Sequence, residues 1–447
     1  MTVPKSNSAV SLHSNNWLYI SFILFGIAQL LPWNFISKSV PYFRYRLANT
    51  KYADDVAGFM LSGFTVANFV TTCLLVGLRW DELFLGTVNR IAIGMTFNMI
   101  IMAGMALVTV LSLGGASLFW IVLAFSFLSG LFTALTSKGL LAMIARFPPN
   151  LTPAMLGGQS VAGLAVSIVS AATTFSSISA DSGVVKLGSV GTMSYFLSGA
   201  LTLAAALATL ARNVLAEKDF QAQMGISTGF SVKDAHKRAS FVLVRKVLQR
   251  IWWLAIGLTA TMALTISLYA AFIISPRKAA VQDNITLSLL YVPLIFILYD
   301  ASDLVGRWLP IIKFFNLGSN SLLLKILPWT RAVAAIVMFF FFTPVNIAGV
   351  IKSSGYSSLG ILDLVYVILC FLLGITNGYL CTMLFMHAPS IAVSTGHLHI
   401  NDSSDQGTNN PLESMERETC GALMGFFLNL GLVCGTFSEF LWKLVAS

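Results

Sequence analysis

The chain has 447 residues, 56% of them hydrophobic and 10% charged, with a formal net charge of +9. Soluble globular proteins average about 25% charged residues, so this composition excludes a soluble domain and requires an integral membrane protein. The basic excess is densest in a loop between apolar runs, which marks a cytosolic loop; no nucleic-acid partner is expected from it.

Eleven apolar runs are long enough to cross a bilayer, at roughly 17–37, 56–78, 91–112, 116–142, 154–176, 191–212, 251–274, 288–310, 322–343, 360–386 and 419–443. A helical span needs about 20 residues, and a lipid-facing β-barrel would show short alternating segments instead. The first run continues past the length of a signal-peptide core without a small-residue cleavage site, and is read as a retained span. The predicted class is an all-α integral membrane protein of eleven transmembrane helices.

The loop from Arg212 to Arg250 carries eight basic residues against Glu217, Asp219 and Asp234. Placing it in the cytosol puts the N-terminus inside and the C-terminus outside. The first loop argues the other way, because Lys38, Arg44, Arg46 and Lys51 then lie outside. The resulting domain plan is a cytosolic tail (1–16), a six-helix half (17–212), a basic cytosolic loop (213–250) and a five-helix half (251–447). A polar segment, 394–418, interrupts the last half and reads as disordered. Five cysteines lie in or beside apolar runs and suggest buried thiols.

Taken in order, the first polar signal is LLPWNF, Leu30 to Phe35. Pro32 interrupts helical bonding, Trp33 offers an aromatic face for a planar ring, and Asn34 can fix the kinked backbone. The plainer reading is an interfacial tryptophan beside a proline kink. The fifth run holds Gly157, Gly158 and Gly163, which permit close helix approach, and Gln159. That amide suits either an interhelical hydrogen bond or the edge of a nucleobase.

The eighth run contains Asp300, Asp303 and Arg307. On a helix they fall within roughly 60° of one another. Each charge costs about 2.5–3.5 kcal/mol at mid-bilayer on insertion scales, so the stripe must face helices or a water-filled cavity. Asp303 and Arg307 are spaced for an i, i+4 pair, structural in the plainer reading. Asp300 leaves one carboxylate in excess, so either a base compensates, with Lys138 and Arg331 the candidates, or one carboxylate is protonated.

Asn377 and Asn429 suit interhelical bonding, and Glu439 suits an interface. His397 and His399 form no metal set, and no metal or cofactor is expected. Lys237 to Ser240 reads as a solvated basic stretch with a phosphorylation-like pattern. Asn284-Ile285-Thr286 is a glycosylation sequon in an external loop, whereas the sequon at Asn150 falls on the cytosolic side. No nucleophile elbow, zinc motif or phosphate-binding loop is present, so neither an enzyme nor a primary pump is expected.

LLPWNF (30–35), NLTPAMLGGQSVAG (150–163), DLVGRWLP (303–310), TNGYL (376–380) and GALMGFFLNLGLVCG (421–435) together resemble the equilibrative nucleoside transporter family. The resemblance runs from the first span to the last. It implies a major-facilitator-like bundle with one helix fewer, six helices packed against five around a solute cavity, and carriage of nucleosides or nucleobases. It also implies that Trp33 and Asn34 line the cavity, that Gln159 addresses the base, and that Asp303 and Arg307 address the ribose. Asp300 matches a position often occupied by Asn, a departure that unsettles the charge balance. Lys138 and Arg146 also depart from the family's apolar or small residues. The chemistry agrees: a nucleoside needs a stacking surface, an amide, and a carboxylate with a guanidinium for a diol. The expectation is a facilitative carrier, working by alternating access in the cell-surface membrane. A proton-coupled symporter, prompted by Asp300, and a non-transporting receptor or scaffold are the alternatives.

Overall fold

In the computed structural model, residues 12–53, 55–78, 86–176, 189–217, 220–221, 224, 241–268, 285–318, 322–342, 360–393 and 411–446 are described. Asn284, the 237–240 stretch, His397 and His399 lie outside these residues, as does most of the polar segment. The described residues contain eleven long helices: α1 (Leu12–Arg46), α2 (Val56–Leu78), α3 (Thr87–Val110), α4 (Gly115–Ile144), α5 (Thr152–Ser176), α6 (Ser189–Ala216), α7 (Phe241–Leu268), α8 (Ile285–Trp308), α9 (Leu322–Phe342), α10 (Gly360–Val393) and α11 (Pro411–Ala446). Nine of them are long and apolar enough to cross a membrane among those residues. Helix is the form such segments take because hydrocarbon offers no partner for a backbone N–H or C=O. Large apolar side chains such as Trp120, Leu201 and Val333 stay exposed on the bundle, as a lipid-facing surface requires.

Within the first six helices α1 packs on α5, α3 on α6, and α4 on α2 and α3. Within the last five, α7 packs on α11 and α8 on α10. The two groups meet chiefly through α5 against α8, with α11 against α2 and α4.

Glycines set the closest of these approaches. A Cβ at Gly158 would run into the carbonyl of Ile23, and one at Gly26 into the carbonyl of Met155, so α1 and α5 cross backbone to backbone. In the other group, a Cβ at Gly306 would strike the carbonyl of Ile375, and one at Gly378 that of Asp303. Packing, not a hydrophobic driving force, holds helices together in lipid, and small residues make that packing dense.

One expectation needs correction. Lys38, Arg44 and Arg46 are not loop residues, because α1 continues to Arg46. Arg46 has a task there: it donates to the carbonyls of Val108 (3.0 Å), Thr109 (3.2 Å) and Leu111 (2.9 Å). These include carbonyls left open at the end of α3, where a cation is favoured. Lys38 is buried within the bundle.

The glycine contacts carry an expected outcome. Gly158→Ala should destabilise the purified protein by about 1–3 kcal/mol, the usual range for overpacking. Gly58→Ala, with open space around its added methyl, should cost nothing and stabilise by up to about 1 kcal/mol. Melting temperatures of the two variants in detergent check the contrast.

Candidate functional site

A cavity of about 170 Å³ opens between the two groups of helices. Its wall draws on α1, α2, α4 and α5 from the first group and α7, α8, α10 and α11 from the second. All six residues singled out in the sequence, Trp33, Asn34, Gln159, Asp300, Asp303 and Arg307, lie on this wall.

α1 presents Trp33 beside Phe64 of α2, ring centroids 5.2 Å apart and planes inclined by 52°. The pair forms an aromatic corner. Pro32 cannot donate to the preceding turn, and the Asn34 side chain folds back to donate to the Leu30 carbonyl at 3.1 Å. Tyr195 of α6 donates to the Phe35 carbonyl at 3.2 Å, so this part of α1 is braced from outside the cavity.

The Asp303 carboxylate is the centre of a buried network. Its Oδ2 accepts from Arg307 Nε at 2.8 Å and from Ser160 Oγ, and its Oδ1 accepts from Asn377 Nδ2 at 2.7 Å. Arg307 Nη1 also donates to Gln159 Oε1 at 2.6 Å and to the Leu156 carbonyl at 2.9 Å. Asn377 Oδ1 in turn accepts from Thr265 Oγ1 at 2.8 Å. Arg331 Nη2 donates to Thr265 Oγ1 at 2.7 Å, and its Nη1 to the Thr261 carbonyl at 2.8 Å. One polar chain therefore runs from α5 through α8, α10 and α7 to α9. Arg307 makes its contacts as a planar fork, which a lysine could not reproduce.

Asp300 is compensated by a residue assigned elsewhere on sequence grounds. Lys38 Nζ donates to Asp300 Oδ2 at 2.8 Å and to the Gly163 carbonyl at 2.7 Å. Ser167 Oγ donates to the same Oδ2. Lys138 instead donates to the Ala422 carbonyl of α11 at 2.9 Å, and Arg331 joins the network at Thr265. Neither expected compensator meets Asp300, because α1 reaches it first. With Lys38 in place, the excess carboxylate that prompted a protonated form is accounted for. A sequence signal for Lys38 existed: it stands one turn after Asn34, on the same face of α1. Ser160, Gly163 and Ser167 make a similar stripe of small and polar residues on α5, facing α8.

Outside the cavity lining, Glu418 of α11 pairs with Arg146 just past the end of α4, lies 3.6 Å from Arg90 of α3, and accepts from Thr87 at 2.8 Å. Lys38 to Asp300 and Glu418 to Arg146 each join one helix group to the other.

A bundle of long apolar helices in two groups, around a cavity where aromatic, amide and charged side chains meet, is the architecture of a membrane transporter. The fold is that of the major facilitator superfamily. It matches the structure of a proton:xylose symporter bound to 6-bromo-6-deoxy-D-glucose with a TM-score of 0.59 at 12% identity, covering 97% of this chain and 88% of the symporter. A further crystal structure of a D-xylose-proton symporter matches with a TM-score of 0.53 at 14% identity, covering 96% and 90%. Residues 122–399 match the family described as nucleoside transporter, and the chain belongs to that family, a family of transporters and not of enzymes. Similar proteins include equilibrative nucleoside transporter 2 of Homo sapiens, 25% identical, covering 95% of this chain and 96% of that protein. Equilibrative nucleotide transporter 8 of Arabidopsis thaliana is 24% identical, covering 95% and 94%. Nucleoside transporter FUN26 of Saccharomyces cerevisiae is 23% identical, covering 99% and 87%.

The network makes Arg307 and Asp303 strongly interdependent. Arg307→Ala should destabilise the chain by about 3–5 kcal/mol, the penalty for leaving a buried partner charge alone. Arg307→Lys should recover only part of that loss, since Gln159 and Leu156 need the second arm of the fork. Thermal melts of both variants against the parent chain check this.

Proposed function

We propose that the chain carries nucleosides or nucleobases down their gradient by alternating access, with Trp33, Asn34, Gln159, Asp300, Asp303 and Arg307 forming the central site. One observation carries the reading: groups suited to the three parts of a nucleoside converge on one cavity between the helix groups. Trp33 and Phe64 offer aromatic faces for a base. Gln159 accepts from Arg307 through Oε1, and its Nε2 has no partner among the described residues, which leaves a donor for a base edge. Carboxylates stand on the α8 side of the same space.

The relatives are named for nucleosides and, in one case, for nucleotides. The geometry favours an uncharged solute. Arg307 is engaged by Asp303, Gln159 and Leu156, so it is not poised as a phosphate clamp. Alternating access is supported by the position of the cavity between the six-helix and five-helix groups, which can rock against each other around it. The reading includes eleven spans, a cytosolic N-terminus and an external C-terminus, supported by the eleven long helices among the described residues and by the basic sequence after α6. A cell-surface location completes the reading. The pairing of Asp300 with Lys38 favours facilitative carriage over proton coupling.

Uptake of radiolabelled adenosine into proteoliposomes tests the reading, and a protonophore should leave it unchanged. Asp303→Asn should abolish uptake while the chain still reaches the membrane. Trp33→Ala should raise the KM by about 5- to 150-fold, matching the ~1–3 kcal/mol of base–aromatic stacking. Intact uptake in Asp303→Asn would remove that residue from the site, and no uptake by the parent chain would favour a non-transporting receptor.

A further inference from the structure

We infer that Asp300 is a carboxylate that meets the solute directly, and that Lys38 is a positioning residue that holds it as an acceptor for sugar hydroxyls. The inference rests on the nucleoside reading above and assigns the subsite that reads the ribose.

The distribution of donors leads there. Each oxygen of Asp303 already has a donor, Asn377 on Oδ1 and Arg307 with Ser160 on Oδ2. Asp300 differs. Its Oδ2 takes both Lys38 and Ser167, and its Oδ1 has no donor among the described residues. Its side chain is also the more accessible, 12% exposed against 7% for Asp303. Asp303 is thus a hub that engages Arg307, Ser160 and Asn377, whereas Asp300 keeps one oxygen without any donor among the described residues, on the cavity wall.

Two features around Asp300 fit this role. Lys38 approaches from behind the wall, with only 2% of its side chain exposed, and spends one proton on the carboxylate and another on the Gly163 carbonyl. An ionised acceptor inside an apolar bundle needs such a counter-charge, and one placed behind it does not block the front. Gly163 supplies the opening. A Cβ there would stand 2.9 Å from Oδ1 of Asp300, and the atoms it would meet first all belong to that carboxylate. Glycine therefore leaves bare the oxygen that any other side chain would cover. The ligand class follows from the chemistry: an acceptor-only group takes hydroxyl donors, and a vicinal diol offers two.

The experiment is inhibition of radiolabelled adenosine uptake by adenosine and by 2′,3′-dideoxyadenosine. In the parent chain, the dideoxy compound should inhibit about 10- to 100-fold less strongly, the size of one hydrogen bond to a charged group. Equal inhibition by the two overturns the assignment with no variant needed. Gly163→Ala, which keeps both charges, should shrink the gap to about threefold or less by covering Oδ1. The double variant Lys38→Met with Asp300→Asn, which removes the pair without stranding either charge, should do the same. Lys38→Met alone should narrow the gap, and Lys38→Arg should restore it, which a purely structural lysine would not do. A full gap retained in Gly163→Ala or in the double variant overturns the assignment. No adenosine uptake by the parent chain fails differently: it removes the nucleoside reading itself, and the subsite with it.

Discussion

An ionised side chain inside a membrane bundle has to be met by a partner carried on another helix, and much of this structure follows from that requirement. Asp303 is met from α5 and α10 as well as from Arg307 on its own helix. Asp300 is met from α1 and α5, and Glu418 from α3 and α4. Each of these contacts needs its helices at one depth and one rotation. The net stabilisation from such pairs is small, because desolvation offsets most of the Coulomb gain. Their effect is to specify which faces of the helices meet.

The glycines make that specification possible. Hydrogen bonds between short side chains on neighbouring helices require close backbones. Gly378 lets α10 approach the backbone of α8 at Asp303, and from the preceding residue Asn377 reaches the Asp303 carboxylate. On the other side of the cavity, Gly26 and Gly158 bring α1 against α5. The same closeness places Lys38 within reach of the Gly163 carbonyl. Packing density and polar pairing are therefore one arrangement seen from two sides, with small residues setting the distance and polar residues using it.

How far the site could be read from the sequence depended on whether its contacts lie within one helix. Asp300, Asp303 and Arg307 share a helical stripe, so their grouping follows from 3.6 residues per turn alone. Trp33 and Gln159 stood out as a ring and an amide in apolar runs, and both lie on the cavity wall. Lys38 reads as a loop residue because an apolar run seems to end where basic residues begin. A long side chain buried against a partner on α8 lets the helix continue through such residues, and that partner is 262 positions away. Asn377 was read as an interhelical bond and is one, but its partner could not be named from spacing. Lys138 and Arg331 were reasonable counter-charges by composition, and geometry sends both elsewhere.

The membrane class, the positions of the long helices and the charged stripe of α8 were determined by the sequence alone. Each depends on local composition or on the helical period, which need no knowledge of neighbours. Which base neutralises Asp300, which carboxylate oxygen is left open, and which helices share the cavity were decided only by the tertiary structure. Those are matters of contact between residues far apart in the chain, and the rotation of one helix against another is not encoded within either helix by itself.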